Sequence, residues 1–161
     1  MLHRLPAFII ALLFTLPAAA QKKNDEKLFK GKWKVTLIYF TKDAETRYDV
    51  EKDTLIFSAQ ITKDVNTAAD SLALGVTAIM LEPGNRYYEF GMKEGEYTSG
   101  WEPSGGESGR YVIIQSMNLL KLFNGGEVKN YTYTLSGGKS DTVLELVPQE
   151  LPVTIRLRRN P

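Results

Sequence analysis

The chain has 161 residues, carries 20 Lys and Arg against 19 Asp and Glu, and contains no cysteine. That length suits a single domain, able to bury roughly 68–70% of its unfolded surface without disulfide staples. The balanced charge excludes a global electrostatic pull on nucleic acid or on an anionic membrane.

His3 and Arg4 precede the apolar run Ala7–Leu16, and Pro17-Ala18-Ala19-Ala20 follows it. This is the layout of a secretory signal peptide cleaved after Ala20. The apolar run is too short for a membrane span, which needs roughly 20 such residues. With no cysteine to acylate, the expectation is a soluble export, periplasmic or secreted, and not a lipoprotein. The domain organisation expected is 1–20 signal peptide, 21–27 polar lead-in and 28–161 one β domain.

The first strand is expected within Leu28–Phe40. Trp33, Val35, Leu37 and Tyr39 fall on one face of it, and Lys32, Lys34 and Thr36 on the other. Towards its end Ile38 and Phe40 make both faces apolar, as in a more covered part of a sheet. Thr41–Thr46 reads as a charged connection, and Tyr48–Gln60 as a second extended segment broken at Asp53-Thr54. Thr62–Val76 reads as one short helix. Thr62, Asp64 and Asn66 are candidate N-caps, and Ala68, Ala69, Leu72, Ala73 and Val76 recur at helical spacing.

From Thr77 the pattern is short strands between turns. Strands are expected over Thr77–Glu82, Arg86–Met92, Glu96–Glu102, Arg110–Gln115, Asn118–Phe123, Val128–Ser136, Thr142–Val147 and Val153–Arg159. Pro83-Gly84-Asn85, Lys93-Glu94-Gly95, Asn124-Gly125-Gly126 and Gly137-Gly138 punctuate them. Pro103–Gly109 reads as a flexible loop. Strands at this spacing with glycine-rich turns indicate an all-β antiparallel barrel or sandwich.

In that context the Gly31-Lys32-Trp33 opening, the strand meander and the arginines of the last strand resemble the lipocalins. The likeness is closer to the short lipocalin-like domains of small secreted bacterial proteins, many of unknown function. It extends to Arg86-Tyr87-Tyr88-Glu89-Phe90, Gly100-Trp101-Glu102 and Gly109-Arg110-Tyr111. The resemblance implies a single up-and-down β-barrel of about eight strands with one short helix. It also implies a structural plug at the narrow end, made by Gly31 and Trp33 with Arg156 or Arg158 packed across the tryptophan. The chain departs from the family in lacking a disulfide and the second and third sequence signatures.

The chemistry available is narrow. His3 is the only histidine, and it leaves with the signal peptide. Serine–histidine and cysteine–histidine catalysis are thereby excluded from the mature chain, as are histidine- or thiolate-held metals. No Asp-x-Asp-x-Asp-Gly calcium loop is present. Glu82, Glu89, Glu94, Glu96, Glu102 and Glu107 sit beside turns or alternate with aromatics, as solvent-facing strand positions do. The expectation is no catalytic residue, no metal and no cofactor, hence no enzyme.

Aromatics are spread over consecutive strands at Tyr88, Phe90, Trp101, Tyr111, Tyr131 and Tyr133. They either fill the core or line a cavity for a small, mostly apolar ligand. The alternative to carriage is a solid barrel whose open-end loops bind or inhibit another protein. Three Asp-Ser/Thr-apolar triplets, at Asp53-Thr54-Leu55, Asp70-Ser71-Leu72 and Asp141-Thr142-Val143, resemble acceptor sites of bacterial secretory O-glycosylation.

Overall fold

The computed structural model describes residues 27–63, 67–91, 95–101, 106–138 and 141–160. The segment expected to be a signal peptide and most of the polar lead-in lie outside the described residues, as do the candidate caps Asp64 and Asn66, Glu94, Glu102 and residues 103–105.

The strands in chain order are β1 (Gly31–Phe40), β2 (Asp43–Asp49), β3 (Thr54–Ile56), β4 (Tyr87–Phe90) and β5 (Glu96–Gly100). They continue as β6 (Gly106–Ile114), β7 (Leu119–Asn124), β8 (Glu127–Ser136), β9 (Val143–Pro148) and β10 (Val153–Arg159). Helices α1 (Ala59–Lys63) and α2 (Ala68–Leu81) stand between β3 and β4. From β4 to β10 each strand pairs antiparallel with the next, and β10 returns to β1 from Trp33↔Arg159 to Phe40↔Val153. Since β4 also pairs with β1, from Gly31↔Phe90 to Lys34↔Tyr87, the eight strands β1 and β4–β10 close a barrel. The all-β up-and-down barrel expected from the sequence is the fold observed.

Where β4 stops, β2 takes over the same edge of β1, from Leu37↔Asp49 to Phe40↔Asp43. The β2–β3 hairpin therefore flares away from the barrel beside the start of β4. Arg86 bridges the fork: its carbonyl accepts from Val35 N (2.8 Å), and its Nη2 donates to Asp53 Oδ1 (2.9 Å). Tyr48 also donates its hydroxyl to Asp53 Oδ1. At the root of the hairpin, Thr46 is fully buried, and its hydroxyl donates to Asp43 Oδ2 (2.6 Å) while accepting from Ser58 N (3.0 Å). This side-chain network makes Asp43–Asp49 a strand, although its charged sequence reads as a connection.

The face assignment of β1 needs correction. Val35 pairs with Leu157 and Leu37 with Arg156, so Thr36 is an extra residue, a β-bulge. The alternation flips there. Trp33 and Val35 point inward below the bulge, but above it the inward residues are Ile38 and Phe40, opposite Ile155 and Val153. Leu37 and Tyr39 turn outward with Arg156 and Thr154. Tyr39 donates to Glu145 Oε1 (2.9 Å), which also accepts from Arg156 Nε and Nη2 (2.9 and 2.8 Å).

Two helices replace the one expected, and α2 absorbs the strand expected over Thr77–Glu82. It starts at a reciprocal cap: Thr67 Oγ1 accepts from Asp70 N (3.2 Å), and Asp70 Oδ2 accepts from Thr67 N (2.7 Å). It ends with Leu81 fully buried in the core cluster.

The loop expected over Pro103–Gly109 is also shorter, because Gly106–Gly109 belong to β6. Each of these two glycines is a seat for a neighbour. A Cβ on Gly106 would lie 2.6 Å from Tyr87 Oη, and one on Gly109 would lie 2.8 Å from Tyr97 Cε1 and 2.1 Å from the Phe123 carbonyl oxygen.

The base of the barrel is sealed from below. Phe29, just before β1, is fully buried, with its ring 5.3 Å from Phe90 and 5.0 Å from Tyr133. Trp33, also fully buried, donates its indole N–H to the Phe29 carbonyl (2.8 Å). Gly31, between them, has φ +122°, a backbone region that side chains resist. The arginine over the Trp33 ring is Arg159, its guanidinium carbon 5.2 Å from the ring centre. Arg159 Nη2 donates to the carbonyls of Leu28 and Lys30, tying the chain before β1 to the end of β10. Neither Arg156 nor Arg158 has this role. Both face outward, alternating with Val153, Ile155, Leu157 and Arg159, which share the inner face.

Candidate functional site

At the end opposite Trp33 the barrel holds a cavity of about 290 Å³. Its apolar walls are Ile38 of β1, Val153 and Ile155 of β10, and Met80 of α2. The bulge at Thr36 creates this wall, since it swings Ile38 inward against Ile155. Tyr88 and Tyr131 supply the polar part of the wall, and Glu82, Lys129, Asn130 and Glu150 lie around the opening.

Tyr88, Tyr131 and Asn85 line the cavity together. Burial pushes both phenols above the usual tyrosine range, so they stay protonated at neutral pH. Two phenols over aliphatic walls make a cavity that is mostly apolar with a few fixed polar handles. Its size, at the low end of the roughly 300–1,000 Å³ typical of small-molecule sites, suits a compact ligand.

Glu107 and Lys129 sit above the phenols, on the inward faces of β6 and β8. Glu107 Oε2 accepts from Asn124 Nδ2 (3.1 Å) and lies 3.9 Å from Lys129 Nζ. The end of α2 leans on this side of the barrel, where Leu81 and Pro83 are buried. Its outer stripe is bare: Leu72, Val76 and Ile79, spaced four and three apart, are 70%, 50% and 71% exposed. The helix face expected to be buried thus includes two of the most exposed apolar side chains, because Leu74, Ala78 and Leu81 turn toward the barrel instead.

The six aromatics singled out from sequence separate into three environments. Tyr88 and Tyr131 line the cavity. Phe90, Tyr111 and Tyr133 lie deeper and fill the core: Phe90 meets Tyr111 at 5.2 Å edge-to-face, and both Phe90 and Tyr133 meet Phe29. Trp101 is at the rim, half-buried, donating its indole N–H to the Gly84 carbonyl (2.9 Å) beneath the Arg86 guanidinium (4.3 Å). Depth along the strand decides between lining and filling. Inward residues two positions apart, such as Tyr131 and Tyr133, differ by roughly 6–7 Å in height, enough to pass from cavity wall to packed core.

Sequence reasoning missed Phe29, Arg159 and the aliphatic wall. The doubly apolar end of β1 was the available signal for Ile38. Of the three triplets, Thr54 and Ser71 are exposed, whereas Thr142 is buried, with its hydroxyl donating to the Gly138 carbonyl (2.6 Å). Comparison with protein-family models, with curated proteins and with solved structures gave no match to this chain.

Proposed function

We propose that this chain is an exported, soluble, lipocalin-like protein that carries a small, mostly apolar ligand in the mouth of its barrel and catalyses no reaction. The observation that carries the reading is the cavity of about 290 Å³ between Ile38, Val153, Ile155 and the phenols of Tyr88 and Tyr131. The secretory layout of Met1–Ala20 supports export, and the lack of histidine and cysteine after it supports the absence of an enzymatic role.

The test is mass spectrometry of organic extracts of the purified protein, combined with thermal unfolding against a panel of apolar small molecules. A ligand that binds the folded state raises the melting temperature in proportion to RT ln(1 + [L]/Kd). An Ile38→Trp variant, which fills the cavity from its wall, should fold and lose that response. No extractable molecule together with a melting temperature indifferent to the whole panel would sink the reading.

A second reading has one observation in its favour, the exposed Leu72, Val76 and Ile79 stripe of α2. Beside the open-end turns it suits a protein-binding or inhibitory surface over an otherwise packed barrel. On that reading Leu72→Lys abolishes partner binding, while Ile38→Trp leaves it intact.

A further inference from the structure

The cavity walls are apolar, but the charge around the opening is lopsided. Glu82, just past α2, and Glu150, between β9 and β10, line it against one cation, Lys129. That cation is already shared with Glu107, 3.9 Å away. Arg86, adjoining Asn85 of the cavity, is committed to Asp53 at 2.9 Å and is stacked on Trp101. Three carboxylates therefore face one ammonium group around the mouth.

The apolar side of the cavity is made by Ile38, Val153 and Ile155, so a ligand seated there carries its polar head at the mouth, among these charges. A carboxylate or phosphate head would meet the excess negative charge. An ammonium head pairs with the carboxylates while its apolar skeleton fills the aliphatic side.

We propose that the ligand is a compact apolar molecule bearing an amine, and that the mouth discriminates against a carboxylate of the same shape. The inference rests on the carriage reading above. Glu82 and Glu150 are exposed, so solvent screens them and the discrimination is several-fold, not absolute.

A matched series of hexylamine, hexanol and hexanoate, titrated calorimetrically into the purified protein at low and at high salt, tests it. Hexylamine should bind about three- to tenfold more tightly than hexanoate, with hexanol between them and the spread narrowing as salt rises. The double variant Glu82→Gln, Glu150→Gln should narrow the spread by weakening hexylamine. Hexanoate binding as tightly as hexylamine, or a spread that ignores both salt and the double variant, overturns the head-group inference and leaves carriage standing. If none of the three binds, the head-group inference falls, and the extraction and melting panel above decide carriage separately.

Discussion

Arg159 is worth more to this fold than Arg158 next to it. Its Nη2 holds the carbonyls of Leu28 and Lys30, and its guanidinium lies over the Trp33 ring. Replacing it with alanine removes charge-assisted hydrogen bonds and a cation–π contact, so Arg159→Ala should lower the unfolding free energy by about 1–3 kcal/mol. Arg158 is exposed on the outer face, and Arg158→Ala should stay within about 0.5 kcal/mol of the parent. Trp33→Ala, which empties the fully buried base, should cost roughly 3–5 kcal/mol. Urea unfolding followed by fluorescence or circular dichroism ranks the three, and equal losses for Arg158 and Arg159 would refute the assignment. Much of this was legible. A glycine and a tryptophan opening the first strand point to the base, and strict alternation on β10 puts Arg159, not Arg156 or Arg158, on the face of Val153, Ile155 and Leu157. Phe29 was not legible, since nothing within the expected strand Leu28–Phe40 marks that the strand starts only at Gly31 and that this ring turns back beneath the barrel.

Among the elements, β6 shows how composition can mislead. Gly106, Ser108 and Gly109 look like loop residues, yet they pair in register with β5, because Tyr87 and Tyr97 occupy the space that side chains would need. Gly109→Ala should therefore destabilise the barrel by about 1–3 kcal/mol through overpacking against Tyr97 and the Phe123 carbonyl. Gly138→Ala, with nothing within 4 Å of the added methyl, is the matched control and should be near neutral. A chemical-denaturation midpoint unmoved by Gly109→Ala would mean that the β6–β7 ladder is looser than described. Helix α2 misleads in the opposite sense. It is apolar nearly all round between Leu72 and Leu81, so no periodicity can say which stripe packs. Its Val76-Thr77 pair, next to Gly75, imitates the start of a strand. The cap that starts the helix, Thr67 with Asp70, is none of the expected Thr62, Asp64 and Asn66, although a Thr three residues before an Asp was there to be read.

At the scale of the whole molecule, acid and alkali act on opposite groups. Hydrogen bonds from Thr46 and Ser58 hold the Asp43 carboxyl below its usual range, and Tyr48 and Arg86 do the same for Asp53. A carboxyl more acidic in the folded state stabilises fully above its unfolded value of about 3.9, and loses that contribution as pH falls through the folded value. Tyr88, Tyr97 and Tyr131 are shifted upward by burial. Their contribution is complete below the unfolded value of about 10 and declines as pH rises past it towards the folded value. Stability should thus be level across neutral pH and fall below about pH 4 and above about pH 10. Urea midpoints across that range check it, and the phenolate absorbance of Tyr88, Tyr97 and Tyr131 should rise only with alkaline unfolding. A midpoint that climbs on acidification would contradict the carboxylate networks. The barrel itself was readable from strand spacing and turns. Its flared hairpin was not, because polar side chains buried at a strand junction leave no hydrophobic pattern. The seam between β1 and β10 has a kinetic consequence. It joins the earliest strand to the latest, more than a hundred positions apart, so its closure carries the high contact order that slows folding. A chain delivered from its N-terminus presents β1 with one edge bare until β10 arrives, and throughout that interval the unpaired edge is open to strands of other molecules.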